Sequence, residues 1–195
     1  MTTAAALETR VAATDAEERL SGLIAAARAG DRAALEALVQ SIERRVYVLA
    51  YRLVGDASAA EDVAQEVFLK ICRRLSQFRE GGNFWGWVYR ITVNQVRDWW
   101  RSANLPALEL LDRPAPPGFS PAQDEQLRRV TEAMRALTEK ERAALVLTEI
   151  EGFSSAEAAR ILGTLAINVR TRASQARKKV RRELSRYYPE LREAT

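Results

Sequence analysis

From residue 21 onward, apolar positions return every three or four residues, the period of an α-helix, and no alternating strand pattern persists. Between Gly30 and Gly55, Leu35, Leu38, Val39, Ile42, Val46 and Leu49 form one stripe. Asp31 stands where an N-cap belongs and Gly55 where a left-handed stop belongs, which predicts a helix over about 32–54. Ser58 to Glu61, Thr138 to Glu141 and Ser154 to Glu157 each have the S/T-x-x-E form, in which hydroxyl and carboxylate reciprocally satisfy free backbone donors, and they predict three further helix starts. After the first, Ala60, Ala64, Val67, Ile71 and Leu75 make a core stripe that leaves Asp62, Gln65 and Glu66 outside it. Gly152 and Gly163 divide the C-terminal part into a helix, a short capped helix and a long last helix, on which Val169, Ala173, Ala176 and Val180 form a narrow apolar seam.

The helical period fails between Asn104 and Gln123, where five of the six prolines fall and remove backbone donors. The expected fold is therefore all-α: two small helical domains, 21–103 and 124–188, joined by a flexible linker at 104–123. An extension at 1–20 and a tail at 189–195 flank them. Short helix, tight turn and long basic helix make the C-terminal domain a helix-turn-helix.

Composition narrows the chemistry. The 195 residues, 47% hydrophobic, suffice for one medium core or two small ones. No run of eighteen apolar residues and no signal-peptide core occurs, so a cytoplasmic protein without membrane insertion is expected. The lone Cys72 allows no internal disulfide, and the absence of histidine removes the usual metal ligand and the commonest general base. No metal, no cofactor and no enzymatic activity are expected.

The formal charge of +4 matters less than where the charges lie. Residues 170–186 hold eight basic residues against Glu183 alone, whereas residues 102–125 hold Glu109, Asp112, Asp124 and Glu125 against Arg113. An isolated charge run is usually a solvated face; on the last helix of a helix-turn-helix it points to a polyanion. Asn168, Arg170, Thr171, Arg172 and Gln175 lie near the end that meets base edges, while Arg177 and Lys178, with Lys179, Arg181 and Arg182, suit phosphates. Residues 84–101 hold all four tryptophans. On a helical wheel, Trp85, Val88, Ile91, Thr92, Val96 and Trp99 share a core arc, whereas Arg90, Asn94, Arg97 and Arg101 form a polar stripe with Trp87 on its border. Trp100 stays unassigned.

EDVAQEVFLK, FREGGNFWGWVYRITVNQVRDWWR and LTEKERAALVLTEIEGFSSAEAARILG followed by the basic helix, in that order, resemble the extracytoplasmic-function sigma factors. The resemblance implies a subunit that binds core RNA polymerase at its clamp helices and flap, and directs it to promoter DNA. It assigns Asp62, Gln65, Glu66 and Phe68 to polymerase binding. Phe78, Asn83 and Asn94 fall near a pocket for a flipped base, with Trp87, Arg90, Arg97 and Arg101 also on the minus-ten side. The last helix becomes the minus-thirty-five reader, the acidic linker a segment threaded through the active-site channel, and an anti-sigma factor a further partner. Leu165-Ala166-Ile167-Asn168 departs from the family's usual small residue and threonine at the start of that helix. The alternatives are a stand-alone helix-turn-helix regulator, or a sigma-like decoy that binds an anti-sigma factor.

Overall fold

A computed structural model describes residues 18–79, 81–103, 129–130 and 132–189. The linker at 104–123 and most of the N-terminal extension and tail lie outside the described residues. The order is α1 (18–28), α2 (Arg32–Val54), α3 (Ala57–Arg74) with a 3₁₀ turn (Leu75–Gln77), α4 (Phe84–Ala103), α5 (Glu139–Leu145) running into a π-helical turn (Val146–Ile150), α6 (Ser155–Leu162) and α7 (Ala166–Leu184). Among the described residues there is no strand, and no helix is long and apolar enough to cross a membrane.

The punctuation works as its chemistry dictates. The Asp31 carboxylate accepts from the Ala34 N–H at 3.1 Å, and Gly55 stops α2 at φ 84° while its N–H donates to Tyr51. Thr138 and Ser154 each form the complete reciprocal box with Glu141 and Glu157. The start expected at Ser58 is corrected: α3 begins at Ala57, capped by Asp56, whose carboxylate accepts from Ala59 N–H at 2.8 Å. The chain leaves Gly55 extended at Asp56, so a carboxylate already sits at the N-cap and Ser58 falls inside the first turn.

Helices α2, α3 and α4 pack together through Leu38, Ile42, Val46 and Leu49, through Ala60, Val67 and Ile71, and through Val88, Ile91, Thr92 and Val96. The Thr92 hydroxyl, wholly buried, donates to the Val88 carbonyl at 3.0 Å and so carries no unmet polar cost. Leu35 and Val39, expected in the stripe of α2, are only half-buried, while Ala34 and Ala50 take buried places on the same helix. In the C-terminal domain α7 buries Val169, Ala173 and Ala176 against α5 and α6. The two sets of buried residues form a single continuous core. That contact explains why α4 is buried on a broader arc than its wheel predicts, taking in Tyr89 and Val93.

Candidate nucleic-acid interface

Three surfaces carry the side chains singled out by the sequence. On α3, Asp62, Gln65 and Glu66 are exposed, and Phe68 beside them is half-buried against the core. The helix presents this face because Val63, Ala64 and Val67 anchor its other side. Leu69 also lies on α3, 46% exposed and following closely on Gln65 and Glu66. An apolar side chain among acids is what a protein-binding patch uses, and only exposure, invisible to periodicity, distinguishes it from core.

The second surface is the turn into α4. Asn83 accepts from the Gly86 N–H through Oδ1 at 2.8 Å, so its carbonyl oxygen is engaged at the start of the helix. Phe78, buried, meets Phe84 edge-on at 5.5 Å and Trp87 at 5.3 Å, and Phe84 lies 5.9 Å from both Trp85 and Trp87. Gly82 lets the turn close, because a Cβ there would sit 2.9 Å from the Arg79 carbonyl oxygen and 3.3 Å from the Phe78 ring. An open cavity of about 1050 Å³ lies beside this turn, bounded by α1, Arg45, Phe78, Asn83 and Trp85. Phe78 and Asn83 thus meet at one cavity. Asn94 does not join them: it is exposed at a separate groove with Lys70, Arg74, Arg97, Arg101 and Glu139.

Along α4, Arg90 and Arg101 are exposed and Arg97 is half-buried. Arg101 is paired with Asp98, and Lys70 bonds to Gln95 and lies 3.5 Å from Asp98. All four tryptophans are half-buried against the core, Trp87 and Trp100 included, so Trp85 and Trp99 are less completely enclosed than core residues. Among the described residues, the indole N–H of Trp100 is buried without a hydrogen-bond partner.

The third surface is α7. Among the described residues no side chain caps its N-terminus, and Leu165 and Ile167 stand 68% and 56% exposed beside that end. Asn168 donates to the Thr164 hydroxyl at 3.2 Å and Thr171 to the Ile167 carbonyl at 3.0 Å, so both are partly engaged by the turn. Arg170, Gln175 and Lys178 are exposed; Arg172 is half-buried. Arg177 is exposed and lies 3.7 Å from the Glu149 carboxylate. Lys179, expected among the phosphate neutralisers, donates instead to Glu141 at 2.8 Å. Burial pulls the Glu141 carboxyl upward, but the bonds from Lys179 and Thr138 outweigh it and hold the group below its ordinary range.

Residues 38–105 match the family model of Sigma-70 region 2, and residues 127–180 that of Sigma-70, region 4. The ECF RNA polymerase sigma factor SigM of Mycobacterium tuberculosis is 32% identical over 162 residues, covering 83% of each chain. The chain belongs to the extracytoplasmic-function sigma factors. Two other curated sigma factors are longer, and the chain spans 42% and 66% of their lengths. Among solved structures, CnrH in complex with the cytosolic domain of CnrY superposes with TM-score 0.64 at 28% identity, over 86% of this chain and 97% of that one. The fold is also that of the sigma factor RpoE from Bartonella quintana, in complex with the anti-sigma factor NepR, at TM-score 0.62 and 24% identity over 77% and 96% of the chains.

In this sigma factor the two matched regions touch through side chains that no motif singled out. Arg142, Glu151 and Phe153 of the region 4 half reach Leu53, Arg52 and Tyr89 of the region 2 half. Burial, with the hydrogen bond to Glu151 second, pushes the Tyr89 hydroxyl above its ordinary value. Nothing local in the sequence marks these residues, because each pairs with a partner far along the chain.

Proposed function

We propose that this chain is a promoter-specificity subunit that binds core RNA polymerase, recognises a two-part promoter and helps to open its minus-ten element. The observation that carries the reading is the presence of both sigma regions in one chain, each with charged side chains turned to solvent: acids on α3, and Arg170 and Lys178, with the neutral amide of Gln175 between them, on α7. Asp62, Gln65 and Glu66, with Leu69 beside them and Phe68 beneath, take the polymerase clamp helices, and the region 4 half takes the flap. The turn around Phe78 and Asn83 offers aromatic walls to an unstacked base, which offsets the few kcal/mol, roughly, that extrusion costs. The edge of α4 carries Arg90, Asn94, Arg97 and Arg101 for the minus-ten strand. On this reading the chain works in the cytoplasm, contributes no catalytic group of its own, and is held in check by an anti-sigma factor.

The test is runoff transcription with core polymerase, the purified chain and a library of promoter fragments. Initiation from a defined subset supports the reading. Specific duplex binding with no dependence on polymerase would make the chain a stand-alone regulator. Core binding with no opened promoter would make it a decoy.

A further inference from the structure

Helix α7 is strongly basic, yet two of the five large apolar side chains exposed among the described residues, Leu165 and Ile167, stand at its start. A singly exposed apolar residue needs no explanation. Ile167 differs by its place. The helix buries Val169, Ala173 and Ala176, and at about 100° per residue Ile167 falls on the opposite side, within about 40° of Thr171 and Lys178. Both of those are exposed, and Arg170 and Gln175, exposed too, flank the same face. A duplex held by these groups therefore covers Ile167. The first turn has few polar groups to offer a base: the Asn168 amide donates to the Thr164 hydroxyl at 3.2 Å, the Thr171 hydroxyl donates to the Ile167 carbonyl at 3.0 Å, and Leu165 and Ala166 carry none.

We propose that Ile167 is a specificity-determining residue that reads, by apolar contact, the C5-methyl group of a thymine in the major groove of the upstream promoter element. The inference rests on the reading that α7 takes that element, and deepens it. Thymine alone among the four bases presents a methyl group in the major groove, and apolar side chains recognise it by contact. Cytosine places its N4 amino group there instead, and an isoleucine offers that donor no acceptor, so the same side chain favours one pyrimidine and disfavours the other. The branched Cβ of Ile167 holds χ1 close to one rotamer in a helix, so its methyl groups reach the groove already placed and lose little rotamer freedom on binding. Gln175 lies about two turns further along α7, so the thymine read by Ile167 belongs to a different base pair from the one given to Gln175.

The test uses the full chain with core polymerase. Its preferred upstream element is selected from randomised promoter fragments, and each thymine in that element is replaced singly by uracil, which removes the methyl group and keeps the pairing and the other groove groups. The expected result is one position at which uracil weakens binding of the parent chain about fourfold, the loss that uncovering one methyl group brings, while Ile167→Ala binds thymine and uracil there alike. Ile167→Val, which keeps the branched side chain, retains most of the difference. Ile167 is exposed, so neither change touches the core, and a urea midpoint checks that both variants remain folded. A selected element without thymine, no effect of uracil at any position, or an effect equal in the parent and Ile167→Ala overturns the inference. So does an Ile167→Ala variant that binds every sequence more tightly by one common factor, since the side chain would then only obstruct the duplex. Absence of any upstream preference with core polymerase counts against the proposed function, whereas a selected element whose thymines show no coupling to Ile167 counts against this inference alone.

Discussion

Arg142 donates from Nη1 to the carbonyl of Leu53 at 3.0 Å, so a side chain of the C-terminal domain caps a helix of the N-terminal one. The same guanidinium reaches the Val54 carbonyl at 3.3 Å and, through Nη2, the Met134 carbonyl at 3.0 Å, and burial draws its pKa down to about 10. The last carbonyls of a helix lack intrahelical partners, and positive charge there meets the negative end of the macrodipole. Arg142→Met leaves these oxygens buried without a donor and is expected to cost about 3 kcal/mol, read as a lower urea midpoint. Arg142→Lys recovers only part of the loss, since a single ammonium cannot span both sides of the fork. A Met variant as stable as the parent would refute the capping role.

Neither partner in that contact was legible in the sequence, and the reason is physical. Local patterns report bonds made within a few residues, which is why the boxes at Thr138 and Ser154 and the stop at Gly55 read correctly. Arg142 on a short helix reads as a solvated charge, and only the arrival of α2 makes it a buried cap. The burial of Tyr89 follows from the same docking: a wheel drawn for α4 alone counts one neighbouring surface, whereas the helix has two. The π-helical turn at Val146–Ile150 has no local signature either, since its wider hydrogen-bond ladder is set by surrounding contacts.

The Ser58 correction yields a paired test. Asp56→Ala removes the carboxylate that accepts from Ala59 and is expected to cost about 1 kcal/mol. Ser58→Ala, an exposed change inside the first turn, is expected to alter stability by less than about 0.5 kcal/mol. Denaturant unfolding of both variants separates the assignments, because a larger loss at Ser58 would restore it as the cap.

Acid should weaken the C-terminal domain through Glu141. Its folded pKa lies below the ordinary 4.5, so its contribution is fully present above about pH 4.5 and is lost as pH falls through the lower folded value. Lys179→Met removes the cation that donates to Glu141 at 2.8 Å and should flatten that dependence. Melting temperatures recorded from neutral pH down to about pH 3 give the comparison; parallel curves for parent and variant would rule out the Lys179 bond as the cause.

The turn before α4 is set by contact rather than by any left-handed requirement at Gly82. A Cβ at Gly82 would meet the Arg79 carbonyl oxygen at 2.9 Å and the Phe78 ring at 3.3 Å, so Gly82→Ala forces the turn to shift. Phe78→Ala removes the ring that joins Phe84 to Trp87. Both changes should lower open-complex formation about tenfold or more, read as permanganate reactivity of the melted strand, while core-polymerase affinity stays within about twofold. Equal losses in both measurements would mean that the turn supports the fold and not the melting step.

Side chains on α7 separate by what they are free to do. Gln175 is exposed, whereas Asn168 and Thr171 are engaged by the turn, so among these polar side chains Gln175 has amide groups to spare for a base edge. Gln175→Ala should cost about 1–3 kcal/mol against the best upstream element and relax discrimination at one base pair. Lys178, also exposed and further along the helix, suits a phosphate. Its replacement by alanine should weaken all sequences alike and reduce the slope of log affinity against log salt by about one. Binding titrations of the full chain with core polymerase, on promoters varied one base pair at a time and at several salt concentrations, distinguish the two behaviours. A Lys178→Ala variant that changed sequence preference, or a Gln175→Ala variant that changed only the salt slope, would reverse the assignments along the helix.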